Sequence, residues 1–227
     1  MLRCVKPLGL TLGVLVGCIL AARVPWGCGP QKGGPYPQGP LSASGVPAIR
    51  VLIAPQPLPG ATISTSGAYR LEVDGRCVIE SDGALPPTLL HRAGRTWRLN
   101  LLEYEGDECT LQPATDAVVC IGQLAYRGHM RFLPFGENSF YAVNHVDMES
   151  YLAGVLAKEL YPYWSVETYR AQAVAARTFA MYQRLTFGPS HFYDLGFTQA
   201  SQVYEGFSAE TDKSWQAVRS KFDPVPP

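Results

Sequence analysis

The stretch that decides the fold is NHVDMESYLAGVLAKELYPYWSVETYRAQAVAARTFAMYQRL, residues 144–185. It predicts two helices joined by a short aromatic turn. Asp147 is placed to cap the first helix, and Pro162 stops it. Ser165 is placed to cap the second helix, and Gly188 is a typical residue at a helix C-terminus. The two helices should therefore pack as a pair.

One face of the first helix is apolar, because five large residues recur at three- and four-residue spacing: Met148, Tyr151, Leu152, Val155 and Leu156. Glu159 continues this face. Burial disfavours the ionised form of a carboxyl group, so Glu159 is a candidate general acid. The alternative interpretation is a solvated carboxylate at the end of a helix.

Composition narrows the class of protein. The 227 residues suffice for one substantial domain, and the 22 Gly and 19 Pro indicate many turns. The 19 Lys and Arg balance the 19 Asp and Glu. This balance gives no electrostatic argument for binding nucleic acid.

The N-terminus is typical of an export signal. Arg3 and Lys6 precede an uncharged apolar run over residues 7–22. We therefore expect residues 1–26 to be a signal peptide or a membrane anchor, and Cys18 lies in a lipobox-like context that would allow a lipid anchor. Either outcome places the body of the protein outside the cytoplasm, in the periplasm or cell envelope.

Residues 27–47 are dense in Gly and Pro, which predicts a disordered linker and leaves 48–227 as the folded domain. The first part of that domain alternates apolar and polar residues between turn signals. The strands predicted from this pattern are 49–53, 62–65, 69–73, 96–104, 117–121, 128–133 and 139–145. The expected fold class is α+β, with an antiparallel β-rich N-terminal half packed on the helical pair. A last helix is expected over 209–221.

Cysteine spacing leaves two alternatives open. No metal-type pair of cysteines is present. In an oxidising compartment Cys109 and Cys120 could bridge two strands of one hairpin, or both could remain buried free thiols.

The order of motifs resembles the stage II sporulation protein D family, which includes the amidase-enhancer LytB proteins. The resemblance rests on VNHVDMESYLAGVLAKELYPYWSVETYRAQAVAARTFA and on YDLGFTQASQVYEGFSAET, and it covers residues 128–211. It implies an extracytoplasmic protein that acts on peptidoglycan glycan strands. Active members are lytic transglycosylases that cleave between N-acetylmuramic acid and N-acetylglucosamine and leave a 1,6-anhydro end.

The resemblance also implies roles for particular residues. Glu159 falls on the catalytic glutamate, which would act alone as general acid and then general base. The expected contacts to sugars are Gln172, Arg177, Tyr193, Thr198, Gln202 and Tyr204. For Gln172 and Arg177 a purely structural network is the alternative, and for both tyrosines a place in the core.

Two departures from the family pattern qualify these expectations. Some members place metal ligands where this sequence has Gly196, Ala200 and Ser201, so no metal and no other cofactor is expected from this loop. The family domain also continues beyond the point where this sequence stops, which predicts a domain shortened at its C-terminus. The alternative function is therefore a non-catalytic peptidoglycan-binding relative that assists a cell-wall amidase.

Overall fold

The structure, a computed structural model, describes residues 2–4, 47–198 and 201–219. Apart from the short strand over residues 2–4, the predicted export segment, the lipobox cysteine Cys18 and the linker up to residue 46 lie outside the described residues. In the part of the chain that is described, no helix is long and apolar enough to cross a membrane.

The described chain is α+β, with two largely antiparallel sheets and three α-helices. The strands are β1 (Leu2–Cys4), β2 (Ala48–Leu52), β3 (Gly60–Thr65), β4 (Tyr69–Val73), β5 (Arg76–Ser81), β6 (Thr88–Ala93), β7 (Thr96–Leu99), β8 (Leu102–Glu105), β9 (Cys109–Pro113), β10 (Val119–Ile121), β11 (Leu124–Tyr126), β12 (His129–Phe135), β13 (Ser139–Asp147) and β14 (Leu195–Gly196). One sheet has the order β1-β5-β4-β9-β12-β13-β2-β14 and the other β11-β10-β3-β6-β7-β8. The predicted β-rich first half is confirmed.

The first two of the three α-helices begin and end where the sequence predicts. The three are α1 (Met148–Glu159), α2 (Val166–Phe187) and α3 (Asp212–Arg219). The Asp147 carboxylate accepts hydrogen bonds from the backbone N–H groups of Glu149 and Ser150, and Ser165 Oγ accepts one from Thr168. Gly188 caps the end of α2 at φ 67°. The last helix begins at Asp212, three residues later than predicted, and is described as far as Arg219; a 3-10 helix (Gly206–Ala209) precedes it.

The strand predictions need two corrections. The single strand predicted over 96–104 is wrong: β7 and β8 form a hairpin whose turn holds Asn100 at φ 52°. Asparagine tolerates this left-handed conformation. The alternation of apolar and polar residues continues on both sides of Asn100, so the sequence resembles one continuous strand. The sequence analysis also missed β1, β5, β6, β9 and β11.

Of the two alternatives left open for the cysteines, the structure does not show the hairpin disulfide. Cys109 lies in β9 of the larger sheet and Cys120 in β10 of the smaller one, and both are free thiols. Cys109 is fully buried, and desolvation raises the pKa of its thiol. The buried-thiol alternative therefore describes Cys109.

Close packing fixes α1 against the rest of the domain. Residues 150–156 of α1 are all buried, and the helix follows directly from the last residue of β13. At Gly154 an added Cβ would lie 2.9 Å from the Gly206 carbonyl oxygen and 3.0 Å from the Tyr204 ring. Only a glycine lets the 3-10 helix approach this closely, so α1 has little freedom to move.

A buried ion pair attaches the segment after α2 to the larger sheet. Arg50 on β2 donates from Nε and Nη2 to the Asp194 carboxylate, and its backbone N–H donates to the same group at 2.8 Å. The guanidinium also bonds the carbonyl oxygens of Gly188 and His191. Strand β14 then pairs in parallel with β2. Asp194, which belongs to the second motif, thus has a structural role that sequence reasoning did not assign.

Candidate functional site

The candidate site centres on Glu159, the last residue of α1. Its side chain is half-buried, and Gln172 Nε2 on α2 donates a hydrogen bond of 3.0 Å to Glu159 Oε2. The neighbouring Leu160 N–H bonds back to the Leu156 carbonyl, so the helix is intact up to this point. The structure therefore brings together two of the predicted site residues and fixes the orientation of the carboxyl group.

Behind Glu159 lies a buried polar network. Tyr151 OH donates to Gln202 Oε1 at 2.8 Å. Burial raises the pKa of Tyr151, and the nearby Glu159 carboxylate adds to the shift. The phenol is therefore held in its neutral, donating form. The Gln202 side chain is itself buried, and its hydrogen bond with Tyr151 connects it to the site.

Tyr204 lies in the interior, in agreement with the core alternative. It is 1% exposed, and its ring packs against Tyr126 and Tyr151. Its OH donates to Asn144 Oδ1 at 2.8 Å, while Asn144 Nδ2 donates to two backbone carbonyls. Burial raises the pKa of Tyr204 well above its usual value. A sugar has no access to this ring in the present arrangement.

Arg177 lies away from Glu159. Its Nη2 forms an ion pair of 2.6 Å with Glu149 Oε2, and its Nε donates to Glu149 Oε1 at 3.3 Å. Glu149 is in the first turn of α1 and Glu159 in the last, so about 15 Å of helix separates them. This pair fastens α2 to the start of α1, as the structural alternative for Arg177 proposes.

The remaining two predicted residues are on the segment after α2. Thr198 is exposed and lines a shallow pocket of about 330 Å³ that also includes Phe197 and Tyr204. Tyr193 is half-buried among aromatic rings, with His191 at 4.5 Å and Phe187 at 6.5 Å between centroids. The structure shows no contact between either residue and Glu159.

Sequence reasoning described the turn between the helices as aromatic but gave it no function. Tyr161, Tyr163 and Trp164 are 59%, 78% and 38% exposed. They follow Glu159 directly in the chain. Lys158, next to Glu159, forms an ion pair of 2.7 Å with Glu205, so the carboxylate of Glu205 is already paired. The signal that could have drawn attention to the turn is the occurrence of three aromatic residues among four consecutive positions, residues 161–164.

Comparison with known proteins agrees with the motifs. Residues 136–222 match the family model of SpoIID, the stage II sporulation protein. An uncharacterized protein of Brachyspira hyodysenteriae is 40% identical over 83 residues, which are 37% of this chain and 22% of that protein. The chain thus spans about a fifth of the length of this curated relative. No solved structure matches significantly.

Proposed function

We propose, from the match of residues 136–222 to the family model of the stage II sporulation protein, that the chain is an extracytoplasmic lytic transglycosylase of peptidoglycan glycan strands. The observation that supports the proposal is the Glu159 carboxyl group, half-buried at the end of α1 and oriented by Gln172. A positioned carboxyl group of this kind can transfer a proton to and from a substrate.

One carboxyl group is enough for this reaction. Glu159 donates its proton to the glycosidic oxygen as the C1–O bond breaks. The 6-hydroxyl of the same muramic acid residue attacks C1, and Glu159 takes up the proton of that hydroxyl. The products are a sugar with a free hydroxyl and a 1,6-anhydro end, and no water is consumed. Hydrolysis would instead use a second carboxyl group as base or nucleophile.

The surroundings of Glu159 support a single-acid mechanism. Glu205, an acidic residue of the same region, is held by Lys158. Glu149 is held by Arg177 at the far end of α1. Gln172 can donate to the Glu159 oxygen that is not protonated, and this leaves the other oxygen to carry the proton.

The test is digestion of glycan strands without stem peptides by the full chain, followed by mass analysis of the products. We expect 1,6-anhydromuramic ends, and we expect Glu159→Gln to abolish them while preserving the hydrogen bond with Gln172. Glu205→Gln is the matched control and should keep cleaving. Strand binding by the wild-type chain without any cleavage would contradict the proposal and favour a non-catalytic, amidase-assisting role.

A further inference from the structure

The turn between α1 and α2 offers exposed ring faces on a rigid backbone. The Tyr161 and Tyr163 rings are stacked, with centroids 5.4 Å apart and planes inclined by 17°. Trp164 meets Tyr161 edge-on at 5.5 Å. Tyr163 is the most exposed of the three, so most of its surface faces solvent.

Three contacts from outside the turn hold its backbone. Lys213 on α3 donates from Nζ to the carbonyl oxygens of Pro162 and Trp164. Tyr169 OH donates to the Tyr161 carbonyl oxygen at 3.3 Å. The same Lys213 ammonium lies 5.4 Å from the centroid of the Tyr169 ring. A ligand that binds here therefore has little loop ordering to oppose it.

The carbonyl oxygens of Tyr161, Pro162 and Trp164 already accept hydrogen bonds. The outer surface of the turn therefore consists mainly of ring faces, with phenol hydroxyls at their edges. A pyranose has the complementary surface, since its C–H groups form an apolar face and its hydroxyls lie around the rim. Aromatic faces attract such weakly positive C–H groups. The turn also begins directly after Glu159, and the Cα atoms of Glu159 and Tyr161 can be at most about 7 Å apart, a separation that one glycan strand spans.

We propose that Tyr161, Tyr163 and Trp164 form a stacking platform for the sugar rings of a glycan strand, next to Glu159. The proposal rests on the proposed function for the identity of the strand. Lys213 is then a positioning residue, because it holds the backbone of the platform and does not touch the sugar.

The experiment measures the affinity of the full chain for a soluble, fluorescently labelled strand of alternating N-acetylglucosamine and N-acetylmuramic acid. The Glu159→Gln variant serves as the background, so that the strand is not cut. We expect the double change Tyr161→Ala and Tyr163→Ala to weaken binding about tenfold or more, from the loss of two stacking partners. Tyr182→Ala removes a comparably exposed tyrosine, 63% exposed, from α2 and should leave the affinity unchanged.

Three further variants separate stacking from folding. Tyr163→Ala alone removes the most exposed ring and should weaken binding without a change in the thermal unfolding midpoint. Lys213→Met should weaken binding with all three rings present, and Lys213→Arg should restore part of it. A double tyrosine variant that binds as tightly as its parent would overturn the proposal. So would a parent chain that does not bind the strand.

The two proposals fail in different ways. A chain that binds the strand through the platform but does not cleave it would refute the enzyme and keep the platform. A chain that cleaves equally well with and without the two tyrosines would keep the enzyme and refute the platform.

Discussion

A stacked pair of histidines, of which His145 is buried and His129 half-buried, predicts that the protein loses stability in mild acid. His129 on β12 and His145 on β13 face each other across the sheet, with ring centroids 4.6 Å apart. Burial and the nearby Arg131 lower the pKa of His129 from 6.5 to about 4. Burial, His129, Arg131 and Arg50 lower the pKa of His145 well below 6.5. Among the described residues His145 Nε2 has no hydrogen-bond partner.

The sign follows from which state binds more protons. Both histidines are neutral in the folded protein at pH 7, whereas in the unfolded chain they take up protons as the pH falls through 6.5. Stability is therefore fully present above pH 6.5 and is lost as the pH falls toward the folded-state pKa. The shift of His129 from 6.5 to about 4 corresponds to a loss of about 2 kcal/mol by pH 5 and about 3 kcal/mol by pH 4. His145 adds to the loss in the same direction.

The measurement is the free energy of unfolding from urea titrations at pH 7, 6 and 5, a range in which ordinary carboxylates stay mostly ionised. We expect a steady decrease, and His129→Gln should remove about 2 kcal/mol of the difference between pH 7 and pH 5. An independent check is NMR titration of the histidine ring protons in the folded protein. A His129 midpoint near 6.5, or an unchanged pH dependence in the variant, would refute the reasoning.

Three further predictions concern residues that the structure places inside the fold. Tyr204→Phe leaves Asn144 Oδ1 without its buried donor and should cost about 1–3 kcal/mol of unfolding free energy in urea. Strand affinity should not change, and a selective loss of affinity would show that the Tyr204 hydroxyl contacts the sugar. Arg177→Ala breaks the Glu149 pair and should lower the unfolding midpoint while the KM for glycan strands stays constant, so a raised KM at unchanged stability would argue for substrate binding. Gly154→Ala forces a Cβ to within 2.9 Å of a backbone oxygen and should cost roughly 1–3 kcal/mol, an expectation that wild-type stability would contradict.

Local signals in the sequence predicted the helices well because capping depends on neighbouring residues. Asp147 and Ser165 bond N–H groups only two or three positions away, and Gly188 takes up its left-handed conformation because it has no Cβ. The strands were harder because their pairing is not local. Strand β9, for example, lies between β4 and β12, about 40 and 20 residues away in the chain. Its few residues carry too little alternation to identify it alone.

The candidate site was predictable where it depended on helical spacing. The spacing placed Glu159 on the buried side of α1, and the motif added Gln172, which does bond it. Neither signal could show that Arg177 pairs with Glu149, since this contact depends on how the two helices are aligned. The two signals also could not show that Gln202 and Tyr204 lie beneath the surface. Their burial depends on the close approach of the segment around Tyr204 and Gly206 to α1, which Gly154 permits.

Burial divides the motif residues into two groups with different meanings. Asp194, Gln202 and Tyr204 direct their polar atoms at partners inside the protein, so their chemistry is used to hold the segment after α2 in place. Glu159 and the three aromatic residues after it keep atoms that a ligand can reach. A match to the motif alone counts both groups as functional. The first group holds the segment after α2 against the rest of the domain, and we propose that recognition of a glycan depends on the second.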